Sequence, residues 1–280
     1  MDVGVAKQDL LYVSDSNGEV TVYRYWQHTL VGTLTDLTQP MGECTDSAGD
    51  VYITDYAAKQ ILEFAHGGTK PLRKLNDSPD SPYACSIASS TGSLAVANDD
   101  GGSTEGDIAI WIKGSGTPKL YKNSKLYNFT GCAYDGNGAL LVTNGQDFAW
   151  LPKGGTALVN IRVPGPYSSR TWSNVQGVQF DGKFFALDAY DVYRIALLHG
   201  QAYYVGMTTL NWEPGTYPSG PYALYNSKPG AQATELVGAD TDFSLSTLSY
   251  FDYPAGGNSL YQVTHGVDKP VGIAISLKTP

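Results

Sequence analysis

The chain has 280 residues, 42% of them hydrophobic and 16% charged, enough apolar material for a buried core and the wrong balance for a disordered polymer. A net charge of -9 with a pI near 4.8 repels phosphate backbones, so nucleic acid is not an expected partner. No run approaches the ~18 apolar residues of a membrane span and residues 1–9 lack the apolar core of a leader peptide, while 32 Gly, 15 Pro and 20 Tyr fit short strands joined by tight turns.

Residues 1–9 read as an N-terminal extension. The first strand, Leu11–Asp15, runs into Asp15-Ser16-Asn17-Gly18-Glu19, a hairpin turn centred on Asn-Gly that lacks the ligand spacing of a calcium loop. At Pro40 a longer pattern begins: Pro40-Met41-Gly42-Glu43-Cys44-Thr45-Asp46, the turn Ser47-Ala48-Gly49-Asp50, the strand Val51–Asp55, and a third strand ending in Phe64-Ala65-His66-Gly67-Gly68-Thr69. It returns as Pro82-Tyr83-Ala84-Cys85-Ser86-Ile87-Ala88 with Leu94–Asn98, and as Phe129-Thr130-Gly131-Cys132-Ala133-Tyr134-Asp135 with Leu140–Asn144. Val175-Gln176-Gly177-Val178-Gln179-Phe180-Asp181 with Phe184–Asp188 follows, then the weaker Pro221-Tyr222-Ala223-Leu224-Tyr225-Asn226 with Glu235–Asp240. The last copy, Pro270-Val271-Gly272-Ile273-Ala274-Ile275-Ser276, ends the series.

The small residues at 42, 84, 131, 177, 223 and 272 are spaced by 42, 47, 46, 46 and 49 residues, the length of a four-stranded propeller blade. The pattern predicts one all-β domain over 1–280, a six-bladed β-propeller with four antiparallel strands per blade. Gly or Ala recurs where innermost strands converge on the axis and leave little room. The chain starts on a second strand and ends on a first one, so Val271–Ser276 is expected to complete the N-terminal blade and close the ring.

These units resemble NHL repeats, in which Pro-x-Gly-apolar-Ala-apolar-Asp precedes a Gly turn and an apolar-Tyr-apolar-x-Asp strand. Residues 40–55 match that pattern closely, and the resemblance extends over the whole chain at blade level. The Gly-Glu-Cys-Thr-Asp and Ala-His-Gly-Gly-Thr-Lys-Pro segments are most similar to those of uncharacterised bacterial propellers. The resemblance implies fold more than function, because this architecture hosts both scaffolds and enzymes.

Short Gly turns crowd one face. The other, where the inner strands begin (the upper face), receives the longer loops Asn98–Asp107, Asn123–Thr130, Pro164–Asn174, Trp212–Pro221 and Gly238–Ser246. Loops held on a rigid scaffold are where function concentrates. Tyr83, Thr130, Gln176 and Tyr222 stand just before the small residues on this face, with Glu43 deeper in the channel; they are the expected ligand-binding residues. Aromatic faces with polar rims suit a small molecule, a glycan or a peptide or protein partner. The strand-end Asp15, Asp55, Asn98, Asn144, Asp188 and Asp240 read first as turn-closing side chains. Glu43 reads as a structural carboxylate, or as a metal ligand or catalytic acid.

Enzymatic six-bladed propellers of the lactonase type carry a calcium ion on the axis, held by Glu, Asn and Asp. Here the ring reads Met41, Tyr83, Thr130, Gln176, Tyr222, Val271, without a carboxylate, although Glu43, Asn128 and Asn174 could contribute oxygen ligands. His28, His66, His199 and His265 fall away from the axis, so a histidine metal centre is not expected. No cofactor is expected, with calcium the exception to test. Unequal loops argue against a lectin with equivalent pockets. The expectation is a monomeric, non-catalytic binding propeller, extracellular or periplasmic, with a hydrolase of the lactonase or strictosidine-synthase-like class as the alternative. Strand alternation makes Cys44 and Cys85 face each other on neighbouring blades; a disulfide and two free core thiols both remain open, and Cys132 should be unpaired.

Overall fold

The computed structural model describes residues 1, 4–99, 106–165, 172, 175–212, 220–228, 230–240 and 246–278. Six four-stranded antiparallel sheets form a ring, a six-bladed β-propeller. From the axis outward, blade 2 runs Pro40–Thr45, Val51–Asp55, Gln60–Phe64 and Pro71–Asn76. The inner strands of blades 3 to 6 are Pro82–Ile87, Gly131–Tyr134, Gly177–Phe180 and Tyr222–Tyr225. Blade 1 is composite: the C-terminal Pro270–Ser276 lies innermost, followed by Leu10–Asp15, Val20–Arg24 and Thr29–Leu34. Its register pairs Leu10 with Ser276, Val13 with Ile273 and Asp15 with Pro270, the closure the sequence predicts. Among the described residues no helix is long and apolar enough to cross a membrane.

Alternation along each strand supplies the packing. Odd and even side chains point to opposite neighbours, so every blade buries both faces. Leu11, Tyr23 and Tyr25 of blade 1 meet Val237, Leu248 and Tyr250 of blade 6. On its other face blade 1 offers Leu10, Tyr12 and Val22 to Ile53, Leu62 and Phe64 of blade 2. Each fully buried aliphatic or aromatic side chain contributes about 1.5–3 kcal/mol, and the ring closes this core on itself.

The lower turns repeat one device. Asp46 Oδ1 accepts the Ala48 and Asp50 N–H groups, Asp135 Oδ1 those of Asn137 and Ala139, and Asp181 Oδ1 those of Lys183 and Phe184. Gly49 and Gly138, three residues after their Asp, and Gly182, directly after its own, take φ of 86°, 92° and 94°, the left-handed conformation these tight turns require. Strand boundaries moved slightly from the expected ones: Leu140–Thr143 stops before Asn144, whose Oδ1 instead accepts the Gln146 and Asp147 N–H groups. Blade 5 carries the longest outer hairpin, Asp191–Leu198 with Gln201–Thr208, which periodicity had not delimited.

The small residues sit where crowding demands. A Cβ on Gly42 would lie 2.7 Å from the Tyr83 carbonyl oxygen and 2.8 Å from the Ala84 Cα. At Gly272 the Met41 carbonyl occupies the place a side chain would need.

Candidate functional site

The inner strands enclose an axial channel of about 360 Å³. All five residues singled out from the sequence, Glu43, Tyr83, Thr130, Gln176 and Tyr222, border it. They do so differently.

Thr130 precedes the inner strand of blade 4 and is held by its N–H donating to the Thr143 carbonyl at 2.9 Å. Its Oγ1 is buried and has no hydrogen-bond partner. Gln176 is half-buried, its backbone N–H given to the Asp188 carbonyl at 2.8 Å. Tyr83 is half-buried at the junction of blades 2 and 3, and burial, with Asp99 and Tyr56 nearby, raises its pKa. Tyr222 is turned into the interface of blades 5 and 6: it is 4% exposed, its hydroxyl donates to the Tyr190 carbonyl at 2.9 Å, and its ring stacks on Trp212.

Glu43 points back from blade 2 toward blade 1. Its Oε1 accepts the Ser14 hydroxyl at 2.6 Å, the Ala274 N–H also bonds the carboxyl, and Oε2 is buried without a partner. Burial outweighs those two bonds and raises its pKa to about 8, so the group is a neutral acid at pH 7.

Asp188 and Gln179 also border the channel, and neither was among the expected ligand-binding residues. Asp188 is buried, its Oδ2 accepts the Tyr222 N–H at 3.1 Å, and burial raises its pKa well above the carboxylate range. Gln179 bridges blades 5 and 6, accepting the Leu224 N–H at 3.1 Å and donating to the Tyr222 carbonyl. The available signal was positional: Gln179 stands where other inner strands carry Cys44, Ser86, Ala133, Tyr225 and Ala274.

Of the remaining strand-end residues, Asp15 closes its own turn through the Asn17 and Glu19 N–H groups. Asp55 reaches beyond its own turn: its two oxygens accept the Thr38 and Gln39 N–H groups of the crossover into blade 2. Much of the longer upper loops, and Asn174 with them, lies outside the described residues.

Cys44 and Cys85 are joined in a disulfide with a Cα separation of 5.6 Å, across the junction of blades 2 and 3. Of the two outcomes the sequence leaves open, the bond forms where Gly42 lets its strand close onto Tyr83 and Ala84. Cys132 is free and buried.

Glu43 Oε1 and Asp188 Oδ2 already accept hydrogen bonds, both carboxyls are biased toward the neutral form, and the Tyr222 hydroxyl is spent on Tyr190. A calcium shell asks for six or more oxygen ligands. Among the described residues no three His, Cys, Asp or Glu side chains group as metal ligands. His66 lies at a lower turn, its Nδ1 2.5 Å from Ser276 Oγ and its Nε2 3.0 Å from the Gln8 carbonyl.

No family model and no curated protein matches the chain. Solved structures do. A chain of a nidogen/laminin complex superposes with a TM-score of 0.68 at 14% identity, covering 97% of this chain and 99% of that one. A functionally unknown protein from Desulfotomaculum acetoxidans gives 0.66 at 12%, covering 97% and 100%. The β-propeller domain of Cps50 (Swd1) gives 0.63 at 9%, covering 96% and 87%. At these identities the likeness is one of fold.

Proposed function

We propose that this protein is a non-catalytic binding propeller that takes a small molecule, glycan or peptide at the upper mouth of its channel. The observation that carries the reading is the 360 Å³ axial channel, whose wall includes the half-exposed Tyr83 and Gln176. A rigid concave site with ring faces and a few polar groups is the usual form of a recognition pocket. In this reading Tyr83 supplies a ring face, Gln176 an amide, Thr130 and the packed Tyr222 the adjoining wall, and Glu43 a neutral acid deeper in the channel. The described wall includes no histidine to activate a nucleophile, which favours recognition over chemistry.

The reading includes an NHL-type repeat and a monomeric bacterial protein exported to the periplasm or beyond. The Cys44–Cys85 disulfide supports the compartment, since such bonds persist where the medium is oxidising. The chain of similar fold from the nidogen/laminin complex was solved with a protein partner, which keeps protein segments among the ligands to screen. One observation favours the hydrolase reading: Glu43 keeps its proton to about pH 8, as a general acid must.

Screening glycans, peptides and lactones identifies the ligand. The Tyr83→Ala, Gln176→Ala double variant is then expected to lose about tenfold or more in affinity, on the ~1.4 kcal/mol scale of one lost polar contact. Unchanged affinity in a normally stable variant moves the site to the upper loops. Turnover of a lactone or ester that Glu43→Gln abolishes replaces the binding reading with the hydrolytic one.

A further inference from the structure

Asp77, Asn98 and Asp107 meet on the upper face at the junction of blades 2 and 3. Asp77 follows the outer strand of blade 2, Asn98 ends the second strand of blade 3 (Leu94–Asn98), and Asp107 opens the third (Ile108–Trp111). The three are 4%, 0% and 1% exposed. Asn98 is pinned twice: its N–H donates to the Asp107 carbonyl at 2.9 Å and its Nδ2 to Asp107 Oδ1 at 3.0 Å. The same side chain lies near enough to the Asp77 carboxyl to favour its charged form, against the larger effect of burial. One oxygen on each residue is left over. Asp77 Oδ2, Asn98 Oδ1 and Asp107 Oδ2 are all buried and none has a partner.

The equivalent place in blade 2 shows what a complete junction looks like. There Asp55 accepts the Thr38 and Gln39 N–H groups and the Gln60 side-chain amide, so both oxygens are satisfied by donors. In blade 3 the strand-end residue is an amide and the acids come from its neighbours. Asp107 and Asp80 add negative field at Asp77, and Lys122 lies near enough to Asp107 to oppose part of it. Three unpaired acceptors, two of them on carboxylates, are costly in a buried place. A cation bound among these side chains would supply the positive partner that the leftover oxygens lack. The donors are oxygen only, which selects a hard ion over zinc or copper.

We propose that Asp77, Asn98 and Asp107 form an inter-blade site for a hard divalent cation of the calcium class. Water completes the shell. The site is separate from the axial channel and joins blade 2 to blade 3 on the upper face, beyond the disulfide that joins them at the axis.

The test uses the full chain, stripped with EDTA and titrated calorimetrically with calcium chloride, with thermal melts in parallel. One equivalent of calcium is expected to bind and to raise the melting temperature by several degrees. Asp77→Asn and Asp107→Asn should each weaken binding about tenfold or more while melting cooperatively in EDTA, since each removes one of two like charges. Asn98→Asp should act in the opposite sense, tightening calcium binding while lowering the EDTA melting temperature; it carries the test if the other variants do not fold. The proposal is overturned if the parent shows neither heat nor a shifted melt up to about 1 mM calcium, the weak end for extracellular calcium modules. Binding that survives undiminished in both Asn variants overturns it equally.

Discussion

Glu43 shows how one residue sets a pH response. The five equivalent positions carry Cys85, Cys132, Val178, Leu224 and Ile273, side chains that cost nothing to bury. Glu43 is 9% exposed and keeps only the Ser14 and Ala274 bonds, so its folded pKa stands near 8 against 4.5 for the free group. Between those values the folded chain holds a proton that the unfolded chain releases. Stability therefore falls as pH rises through the window, by up to about 1.4 kcal/mol per pH unit for a single group, and levels off above pH 8. Asp188 is shifted in the same direction by its burial and adds to the trend. Glu43→Gln keeps an acceptor for Ser14 and Ala274 and cannot ionise. The variant should flatten the fall in melting temperature between pH 5 and 8 and exceed the parent above pH 8. A variant with the parent's pH slope would place the titration elsewhere.

At the scale of elements, the inner strands hold the legible and the illegible side by side. Their small residues, their spacing and the senses of Cys44, Cys85 and Cys132 follow from alternation and crowding, and the structure has them so. The distance between strands of neighbouring blades does not follow from either, which is why the sequence leaves the thiols undecided. It is set by Gly42 seated on Tyr83 and Ala84, a tertiary contact. The partners of the upper polar residues are illegible for the same reason. That Tyr222 turns into the blade interface depends on Trp212 and Tyr190, neither of them marked by periodicity. The disulfide spans a sequence separation of 41, and the loop-closure account gives about 4 kcal/mol for such a cross-link. Replacing Cys44 and Cys85 by Ser should lower the melting temperature by roughly 5–10 °C. Denatured without reductant, the parent should titrate a single thiol, Cys132, and three after reduction; three at the outset would remove the cross-link.

The whole molecule depends on a closure that no single blade contains. A blade buries both faces only when it has two neighbours, so a ring with one defective blade exposes core on two sides. The repeat was readable from spacing because each unit solves the same burial problem, and the missing inner strand of blade 1 was readable because the last repeat stops after its first strand. Pro270–Ser276 fills that gap. It covers Leu11 and Val13, places Ile273 and Ile275 in the core shared with blade 6, and completes the channel wall. It also reaches blade 2, where the Thr45 hydroxyl donates to the Ile275 carbonyl at 3.2 Å and Ser276 Oγ donates to the Gly49 carbonyl at 2.5 Å. The two Ile side chains alone contribute about 3–6 kcal/mol, and the lost strand pairing about 1 kcal/mol per hydrogen bond. Together these rival the 5–15 kcal/mol that holds a typical domain. Deleting residues 268–280 should therefore abolish the cooperative thermal transition and leave an open strand edge at Leu10–Asp15 that promotes association. Adding the missing segment back as a peptide should restore a cooperative melt in proportion to its concentration, because the strand then acts as a ligand of the folded state. A truncated chain that melts like the parent would mean that five complete blades hold the ring without the sixth, and that the pairing of Leu10–Asp15 with Pro270–Ser276 contributes little to stability.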